Sequence, residues 1–140
     1  MIVVLLVPAQ EADGRSIAQT EQLLVDAINE TRADYHLPQL ARDPILDRWA
    51  RTRADTMIRH RFFGHPTGLA RLPGHVVGEN LAWCSSWIRV HSVISAWLAS
   101  PEHRANLLRP GFQRLGIAVA VGPVDGVRNS RIVTVDFSGT

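Results

Sequence analysis

The stretch WLASPEHRAN, residues 97–106, joins the predicted end of one helix to the start of another. Within residues 90–98, apolar side chains recur at i, i+3, i+4 and i+7 spacing, which predicts an amphipathic helix. Proline disfavours helical geometry in the residue before it, so this helix should end at Ser100. Pro101 suits the first position of a second, short helix, which would hold His103.

Two longer helices are predicted upstream. Ser16 and Gln19 form a capping-box pattern, and apolar residues at helical spacing then indicate a helix over about residues 17–35. The pair Asp43-Pro44 is a typical helix start, and the helix it begins should run to about His60. The face of this second helix that we expect to pack inward comprises Leu46, Trp49, Ala50, Arg53, Ala54 and Met57.

The remaining segments predict a small sheet. Residues 61–88 are irregular and rich in glycine and proline, which favours loops with at most a short strand around residues 80–83. Residues 115–121 are apolar on both faces, as in a strand covered on both sides, and residues 131–137 alternate like a partner strand. A hairpin loop over residues 122–130 would connect them. Four helices around a small antiparallel sheet predict an α+β protein, a three-layer α-β-α sandwich.

Length and composition are those of one globular domain of 140 residues, with 46% hydrophobic and 20% charged residues. All fifteen basic residues are arginine, which excludes a P-loop lysine and a Schiff-base lysine. The net charge of +2 without a concentrated basic stripe does not favour nucleic acid as a partner. The single cysteine, Cys84, cannot form an intramolecular disulfide and is expected to be a buried apolar residue.

The amino-terminal segment resembles the tail of a signal peptide. Residues 1–7 are apolar, and small residues follow at positions that a signal peptidase would accept, but the run is too short to span a bilayer. We therefore divide the chain into residues 1–15, a signal-peptide remnant or flexible terminus, and a domain over residues 16–140. An ordinary ordered or frayed terminus is the alternative. No transmembrane segment is expected in the mature domain.

Several motifs together resemble the CAP superfamily, or SCP domain, of secreted proteins that includes pathogenesis-related proteins, cysteine-rich secretory proteins and venom allergens. In chain order they are INETR at 28–32, GH at 64–65, GEN at 78–80, WLASPEHRAN at 97–106 and LGIAV at 115–119. The resemblance covers about residues 21–137, and the lack of cysteine pairs makes the chain most similar to the compact bacterial form. It implies the α-β-α fold, secretion, and structural hydrogen bonds from Asn29 and Arg32 to nearby loops.

The resemblance also implies a cleft with a defined set of polar residues. It places His65, Glu79 and His103 at three of the four positions that line the family's central cleft. Relatives with all four residues have a second glutamate three residues after the helix tryptophan, and Ser100 occupies that position here. The substitution removes a carboxylate that could act as a base or as a ligand.

Two histidines and one glutamate are the ligand set of a catalytic zinc centre that keeps one position open for water. Zinc held by His65, Glu79 and His103 could activate that water for hydrolysis of an amide or phosphodiester. No second carboxylate is identifiable as the base, because Glu102 should point to a different side from His103. A plain structural role is the alternative: His65 would hydrogen-bond Glu79 and hold two loops together.

Two classes of function follow. The first is a secreted binding module, not an enzyme, whose cleft of His65, Glu79, Ser100 and His103 accepts a lipid or other small apolar ligand, a peptide or a cell-wall component. The second is a metal-dependent peptidase or nuclease. We favour the first and expect a monomer or weak dimer. Aromatic residues of the loops would suit apolar ligand contacts if they are exposed; they are Phe62, Phe63, Trp83 and Trp87.

Overall fold

The computed structural model describes residues 3–5, 14–65, 73–74, 76–85 and 87–140. Its elements in chain order are β1 (Val3–Leu5), α1 (Ile17–Asp34), β2 (Ala41–Arg42), α2 (Pro44–His60), β3 (Val76–Cys84), α3 (Val90–Ala99), α4 (Pro101–Leu107), β4 (Arg114–Val124) and β5 (Val127–Gly139). Helices α1, α3 and α4 share an apolar core on one face of the sheet, and α2 packs on the other face. The predicted α+β class and three-layer α-β-α sandwich are confirmed.

The sheet has the strand order β1-β3-β5-β4-β2. Its centre is antiparallel, because β5 pairs in that sense with both β3 and β4. The two short edge strands pair in parallel, β1 with the end of β3 and β2 with the start of β4. The sheet is therefore mixed, whereas the sequence analysis predicted only its antiparallel part.

The helices begin where their capping residues predict. Ser16 accepts a hydrogen bond from the backbone N–H of Gln19, whose side chain accepts one from the N–H of Ser16 in return. Asp43 accepts a hydrogen bond from the N–H of Ile45 at the start of α2. These local bonds satisfy donors that a helix leaves free at its first turn.

The strands extend further than the sequence predicts. Strand β3 covers nine residues rather than a short segment around 80–83, and its polar residues Glu79 and Asn80 are buried against other elements. The expected hairpin loop over residues 122–130 is also wrong, since the turn between β4 and β5 consists of Asp125 and Gly126. Both residues have positive φ, which matches the two-residue turn that fits the twist of a hairpin.

Helix α2 lies close to the sheet because β4 presents small residues to it. A Cβ on Gly116 would collide with the backbone of Leu46 and Asp47, and Ala118 and Ala120 continue the same face. This close approach brings the middle of α2 within side-chain reach of β3 and β5. It thereby positions Arg53 for the site described below.

The outer edge of β4 is closed by side chains where β2 ends. The N–H of Ile117 donates to the Asp47 carboxylate at 2.8 Å, and the N–H of Val119 donates to the Glu21 carboxylate at 2.9 Å. Arg51 donates to the carbonyl oxygen of Val119 and pairs with Glu21. Charged groups thus replace a neighbouring strand, which protects an exposed sheet edge from pairing with other chains.

The amino-terminal segment is described only in part. Val3–Leu5 pairs with Ala82–Cys84, while residues 6–13, which include the expected cleavage positions, lie outside the described residues. The division into residues 1–15 and 16–140 stays a prediction. Among the helices of the described ranges, none is long and apolar enough to cross a membrane.

Candidate functional site

Glu79 lies at the centre of the candidate site, with a side chain that has no solvent exposure. One carboxylate oxygen, Oε1, lies 2.9 Å from Nδ1 of His65. The other, Oε2, lies 2.8 Å from Nε of Arg53 on α2. A buried carboxylate is tolerated only when its charge is paired, and these two groups supply the pairing.

Asp136 is a second buried carboxyl group at the same place. It lies opposite Glu79 in the register of β3 and β5, and its Oδ1 is 3.6 Å from Nε of Arg53. Burial raises the pKa of Asp136 to about 8; the negative charge of Glu79 also raises it, and Arg53 opposes both. Asp136 is therefore protonated at neutral pH, and its proton can be shared with Glu79.

His65 is the solvent-facing member of this group. Arg61 ends α2 in the left-handed conformation, with φ of 54°, and the chain then turns back toward β3. The side chain of His65 is 34% exposed, whereas that of Glu79 is fully enclosed. A ligand approaching from solvent would therefore meet the imidazole of His65 before it met the carboxylate.

Ser100 and His103 form a separate pair at the junction of α3 and α4. Ser100 Oγ lies 2.8 Å from His103 Nδ1, and both residues are buried, with 3% and 2% exposure. The His103 ring stacks on Trp97 with centroids 6.5 Å apart. Burial lowers the pKa of His103, which favours the neutral imidazole. Its Nε2 is buried and has no hydrogen-bond partner among the described residues.

The two pairs are joined through the residues of the GEN motif. Asn80 Nδ2 donates to the carbonyl oxygen of His103 at 3.0 Å. Asn106 Nδ2 donates to Asn80 Oδ1 at 3.0 Å and to the carbonyl oxygen of Glu79 at 3.1 Å. At Gly78 a Cβ would lie 2.8 Å from Asn106 Oδ1. The contacts thus explain why each position of the motif holds the residue it does. The two asparagines, Asn80 and Asn106, link α4 to β3.

The four predicted cleft residues thus form two pairs, His65 with Glu79 and Ser100 with His103. Among the residues that the structure describes, no group of three or more His, Cys, Asp or Glu side chains could hold a metal ion. Oε1 of Glu79 is hydrogen-bonded to His65 Nδ1, and Oε2 forms an ion pair with Arg53, so neither carboxylate oxygen faces His103 Nε2 as a shared ligand set would require. In this arrangement the three side chains do not fit a metal centre. Metal binding by His65, Glu79 and His103 stays a prediction for titration to test.

A cavity of about 210 Å³ adjoins the His65–Glu79 pair. It lies between α2 and the turn that follows it, and its lining includes Trp49, Arg53, Met57 and Phe62. Trp49 is 37% exposed, so its assignment to the inward-packing face of α2 is wrong. It forms part of the cavity wall instead.

The loop aromatics differ in exposure. Phe62 is 41% exposed and lines the cavity. Phe63 and Trp83 are half-buried and contact each other, with ring centroids 6.3 Å apart, and Trp87 is also half-buried. Only Phe62 of the four is therefore a large exposed apolar side chain available to a ligand.

The other sequence-based assignments agree with the structure. Asn29 exchanges two hydrogen bonds with the backbone of Leu40, and Arg32 donates to carbonyl oxygens of Pro38, Leu107 and Arg109, so their structural role is confirmed. Cys84 is buried, and burial raises the pKa of its thiol to about 12, so it is not a nucleophile at neutral pH. Glu102 is exposed, on a different side of α4 from the buried His103.

The sequence analysis missed two members of the site. Arg53 was assigned only to the inward face of α2, and Asp136 was assigned no role at all. A signal for Asp136 was present, because a carboxylate between Val135 and Phe137 in an apolar strand requires a partner. The identity of that partner depends on the register of β3 against β5, which the sequence does not specify.

Comparisons with known proteins agree with the fold. Residues 25–137 match the family described as CAP, the cysteine-rich secretory protein family. The uncharacterized protein YkwD of Bacillus subtilis is 27% identical over 112 residues, which are 73% of this chain and 43% of that protein. The chain thus spans less than half the length of this relative.

Solved structures add two relatives of the same fold. An extracellular protein with an SCP domain from Bacillus anthracis is 22% identical, with a TM-score of 0.67, and the match covers 94% of this chain and 45% of that one. An outer surface protein of Borrelia burgdorferi is 20% identical, with a TM-score of 0.68 and coverage of 85% and 92%. Because the family match extends over most of the chain, this protein belongs to the CAP, or cysteine-rich secretory protein, family.

Proposed function

We propose that this protein is a secreted binding module whose ligand contacts the cleft at His65, which lies over the buried Glu79. The observation that supports this most directly is the placement of a 34% exposed imidazole on a fully buried carboxylate, next to a cavity. Such a site offers a ligand one accessible polar group, the imidazole of His65. The buried Glu79 beneath it is held in place by Arg53 and His65. The ligand classes that suit it are a small apolar molecule, a peptide or a cell-wall fragment.

The geometry favours binding over catalysis. Ser100 occupies the position of a second carboxylate, and its hydroxyl is enclosed with 3% exposure, so a substrate does not reach it as a nucleophile. Arg53 and His65 engage Glu79 on both oxygens, which leaves it poorly suited as a general base. A hydrolase built on His65, Glu79 and His103 would require the two pairs to separate and their side chains to converge.

Secretion is part of the proposal. Proteins of the same fold are described as extracellular or as outer surface proteins. The apolar segment at residues 1–7 is consistent with export, and the lack of cysteine pairs means that the fold needs no disulfide. We expect a monomer or a weak dimer.

The test is a titration of ¹⁵N-labelled protein with soluble peptidoglycan fragments, short peptides and short-chain lipids. We expect one class to shift the amide resonances of Gly64, His65 and Glu79. His65→Ala should weaken that binding at least about tenfold in protein that circular dichroism shows to be folded, while His91→Ala, an exposed histidine on α3, should leave it unchanged. Shifts confined to other surfaces, or equal affinity in His65→Ala, would remove the cleft as the binding site.

A second titration addresses the metal-dependent alternative. The metal-stripped protein is titrated with zinc by calorimetry, beside a variant with both His65→Ala and His103→Ala. The proposal expects no tight binding that depends on these two histidines. Tight zinc binding that is lost in the variant, together with zinc-dependent hydrolysis of peptide or nucleic acid, would favour the hydrolase instead.

A further inference from the structure

We propose that the cavity between α2 and the following turn, which we call the α2 pocket, is a subsite for one uncharged aromatic side chain of an acidic peptide. The pocket is lined by Trp49, Thr52, Arg53, Thr56, Met57, Phe62 and Gly64. The inference rests on the proposed binding function and specifies the ligand class, a peptide, and the part of it that enters the protein.

The size of the α2 pocket limits its occupant. Its volume is about 210 Å³. Pockets for complete drug-sized ligands have about 300–1,000 Å³, whereas an apolar cavity of about 150 Å³ is sufficient for benzene. A single aromatic ring therefore fits within the α2 pocket, whereas a long acyl chain would extend out of it.

The walls of the pocket suit an uncharged ring. Trp49 and Phe62 are 37% and 41% exposed although both are large aromatic side chains, and Met57 adds a flexible apolar surface. The hydroxyl of Thr52 donates to the carbonyl oxygen of Arg48, and that of Thr56 donates to the carbonyl oxygen of Thr52. Because both hydroxyl protons are used within α2, the two threonines offer no free donor to a polar occupant.

Arg53 is the charged residue of the lining, and its charge is already balanced. Its Nε lies 2.8 Å from Glu79 and 3.6 Å from Asp136, so an anionic occupant is not required. A nucleobase would also be aromatic, but its several polar edge atoms would lose hydrogen bonds to water, and the side-chain donors left to replace them are those of Trp49 and the terminal nitrogens of Arg53. These features favour the ring of a phenylalanine side chain over a base.

The positive charge next to the pocket favours acidic residues on either side of the aromatic residue in the bound peptide. Arg48 and Arg61 are exposed and directly precede the lining residues Trp49 and Phe62, whereas Asp55 and Arg59 line a different cavity, next to β4. An excess of positive charge at the rim attracts acidic side chains and accelerates their encounter with the protein. An aromatic residue between acidic neighbours therefore matches both the pocket and its rim.

The pocket is continuous with the His65–Glu79 pair. Gly64 lines the pocket and directly precedes His65, while Arg53 lines it and contacts Glu79. A ring in the pocket would place the peptide backbone next to the accessible imidazole. Occupancy should therefore change the resonances of His65 together with those of α2.

The experiment compares two synthetic peptides, Ac-Asp-Glu-Phe-Glu-Asp-NH₂ and the same peptide with alanine in place of phenylalanine, in titrations followed by NMR and calorimetry. We expect the phenylalanine peptide to bind at least about tenfold more tightly. Trp49→Ala and Phe62→Ala should each remove most of that advantage, since both side chains are partly exposed and the fold does not depend on them. Leu23→Ala, a 38% exposed apolar residue on α1, is the matched control and should change affinity less than twofold.

Three results would overturn the inference: equal affinity of the two peptides, resonance shifts that map to α1 and α3 rather than α2, or tighter binding of an oligothymidylate than of the phenylalanine peptide. These outcomes are distinguishable from failure of the proposed function. Binding of wall fragments that depends on His65 but not on Trp49 would keep the cleft and remove the aromatic subsite. Peptide binding that depends on Trp49 but not on His65 would keep the aromatic subsite and remove the cleft as the binding site.

Discussion

Glu79 and Asp136 lie directly opposite each other on β3 and β5, and both carboxyl groups approach the same nitrogen of Arg53. Neither side chain has any solvent exposure. Two buried carboxylates beside a single guanidinium would repel each other, so one of them holds a proton at neutral pH. Burial raises the pKa of Asp136 to about 8, so we assign the proton to Asp136.

This assignment predicts how stability depends on pH. The pKa of Asp136 is higher in the folded protein than in the unfolded chain, so its contribution is fully present below about pH 4 and is lost as the pH rises through about 8. Asp136→Asn keeps the shape but cannot ionise. We expect the wild type to lose stability relative to Asp136→Asn across this window, by at most about 1.4 kcal/mol per pH unit.

The measurement is urea denaturation of both proteins at intervals from pH 4 to 9. Taking the difference between the two proteins cancels the titration of the histidines and exposed carboxylates that they share. A difference that stays constant with pH, or that changes in the opposite direction, would show that Asp136 is ionised in the folded protein at neutral pH.

Removal of the buried cation Arg53 should destabilise the protein more than removal of an exposed arginine on the same helix. Arg53→Met leaves Glu79 and Asp136 together without their cation, and breaking a buried ion pair in this way typically costs about 3–5 kcal/mol. Arg59→Met, an exposed arginine on the same helix, should change stability by less than about 0.5 kcal/mol. Chemical denaturation at pH 7 measures both.

A double variant checks the mechanism. If the loss in Arg53→Met arises from the two carboxyl groups, adding Asp136→Asn should recover part of it, and more so at pH 9 than at pH 6. Additive effects of the two substitutions at both pH values would mean that Arg53 stabilises α2 by packing alone.

The helices were predictable from sequence because their signals are local. Ser16, Gln19 and Asp43 form hydrogen bonds with backbone N–H groups at the helix starts, and Pro44 has no N–H that needs a partner. A few adjacent residues therefore specify where each helix begins. Strand β3 was underestimated for the opposite reason. Its polar residues are stabilised by α2 and α4, which are distant in sequence, and no local pattern reports such partners.

The same contrast applies to the site. His65 and Glu79 were identified through family motifs, and the structure pairs them. Arg53 and Asp136 were missed because their roles depend on the distance of α2 from the sheet and on strand register. Ser100 was placed in the cleft by the same motifs, and its hydroxyl lies 2.8 Å from the His103 ring, a contact between residues only three positions apart.

Trp97 packs in the core and also contacts the His103 ring of the Ser100–His103 pair. It is fully buried, its Nε1 donates to the carbonyl oxygen of Leu81 at 3.0 Å, and its ring stacks on His103. Trp97→Ala should cost roughly 3–5 kcal/mol, and Trp97→Phe about 1–3 kcal/mol, since the Leu81 carbonyl loses its donor. Thermal and urea unfolding measure both, with the half-exposed Trp49→Ala as control. A loss below about 1 kcal/mol in Trp97→Ala would contradict its place in the core.

The distance between α2 and the sheet can be changed at a single glycine. A methyl group at Gly116 would meet the backbone of Leu46 and Asp47, which cannot move aside without displacing the start of α2. Gly116→Ala should therefore destabilise the protein by about 1–3 kcal/mol or more. Gly111→Ala is the matched control, because a Cβ there meets nothing within 4 Å, and it should change stability by less than about 0.5 kcal/mol.

This substitution also separates the fold from the site. Because Arg53 reaches Glu79 only while α2 lies against β4, a folded Gly116→Ala protein should show altered resonances at Glu79, Asp136 and His65, whereas those of Ser100 and His103 on the opposite face should change little. Unfolding measurements and ¹⁵N spectra test the two expectations independently. Equal perturbation of both pairs would mean that the two halves of the cleft respond as one unit, and unchanged spectra would mean that α2 is free to shift without disturbing Arg53.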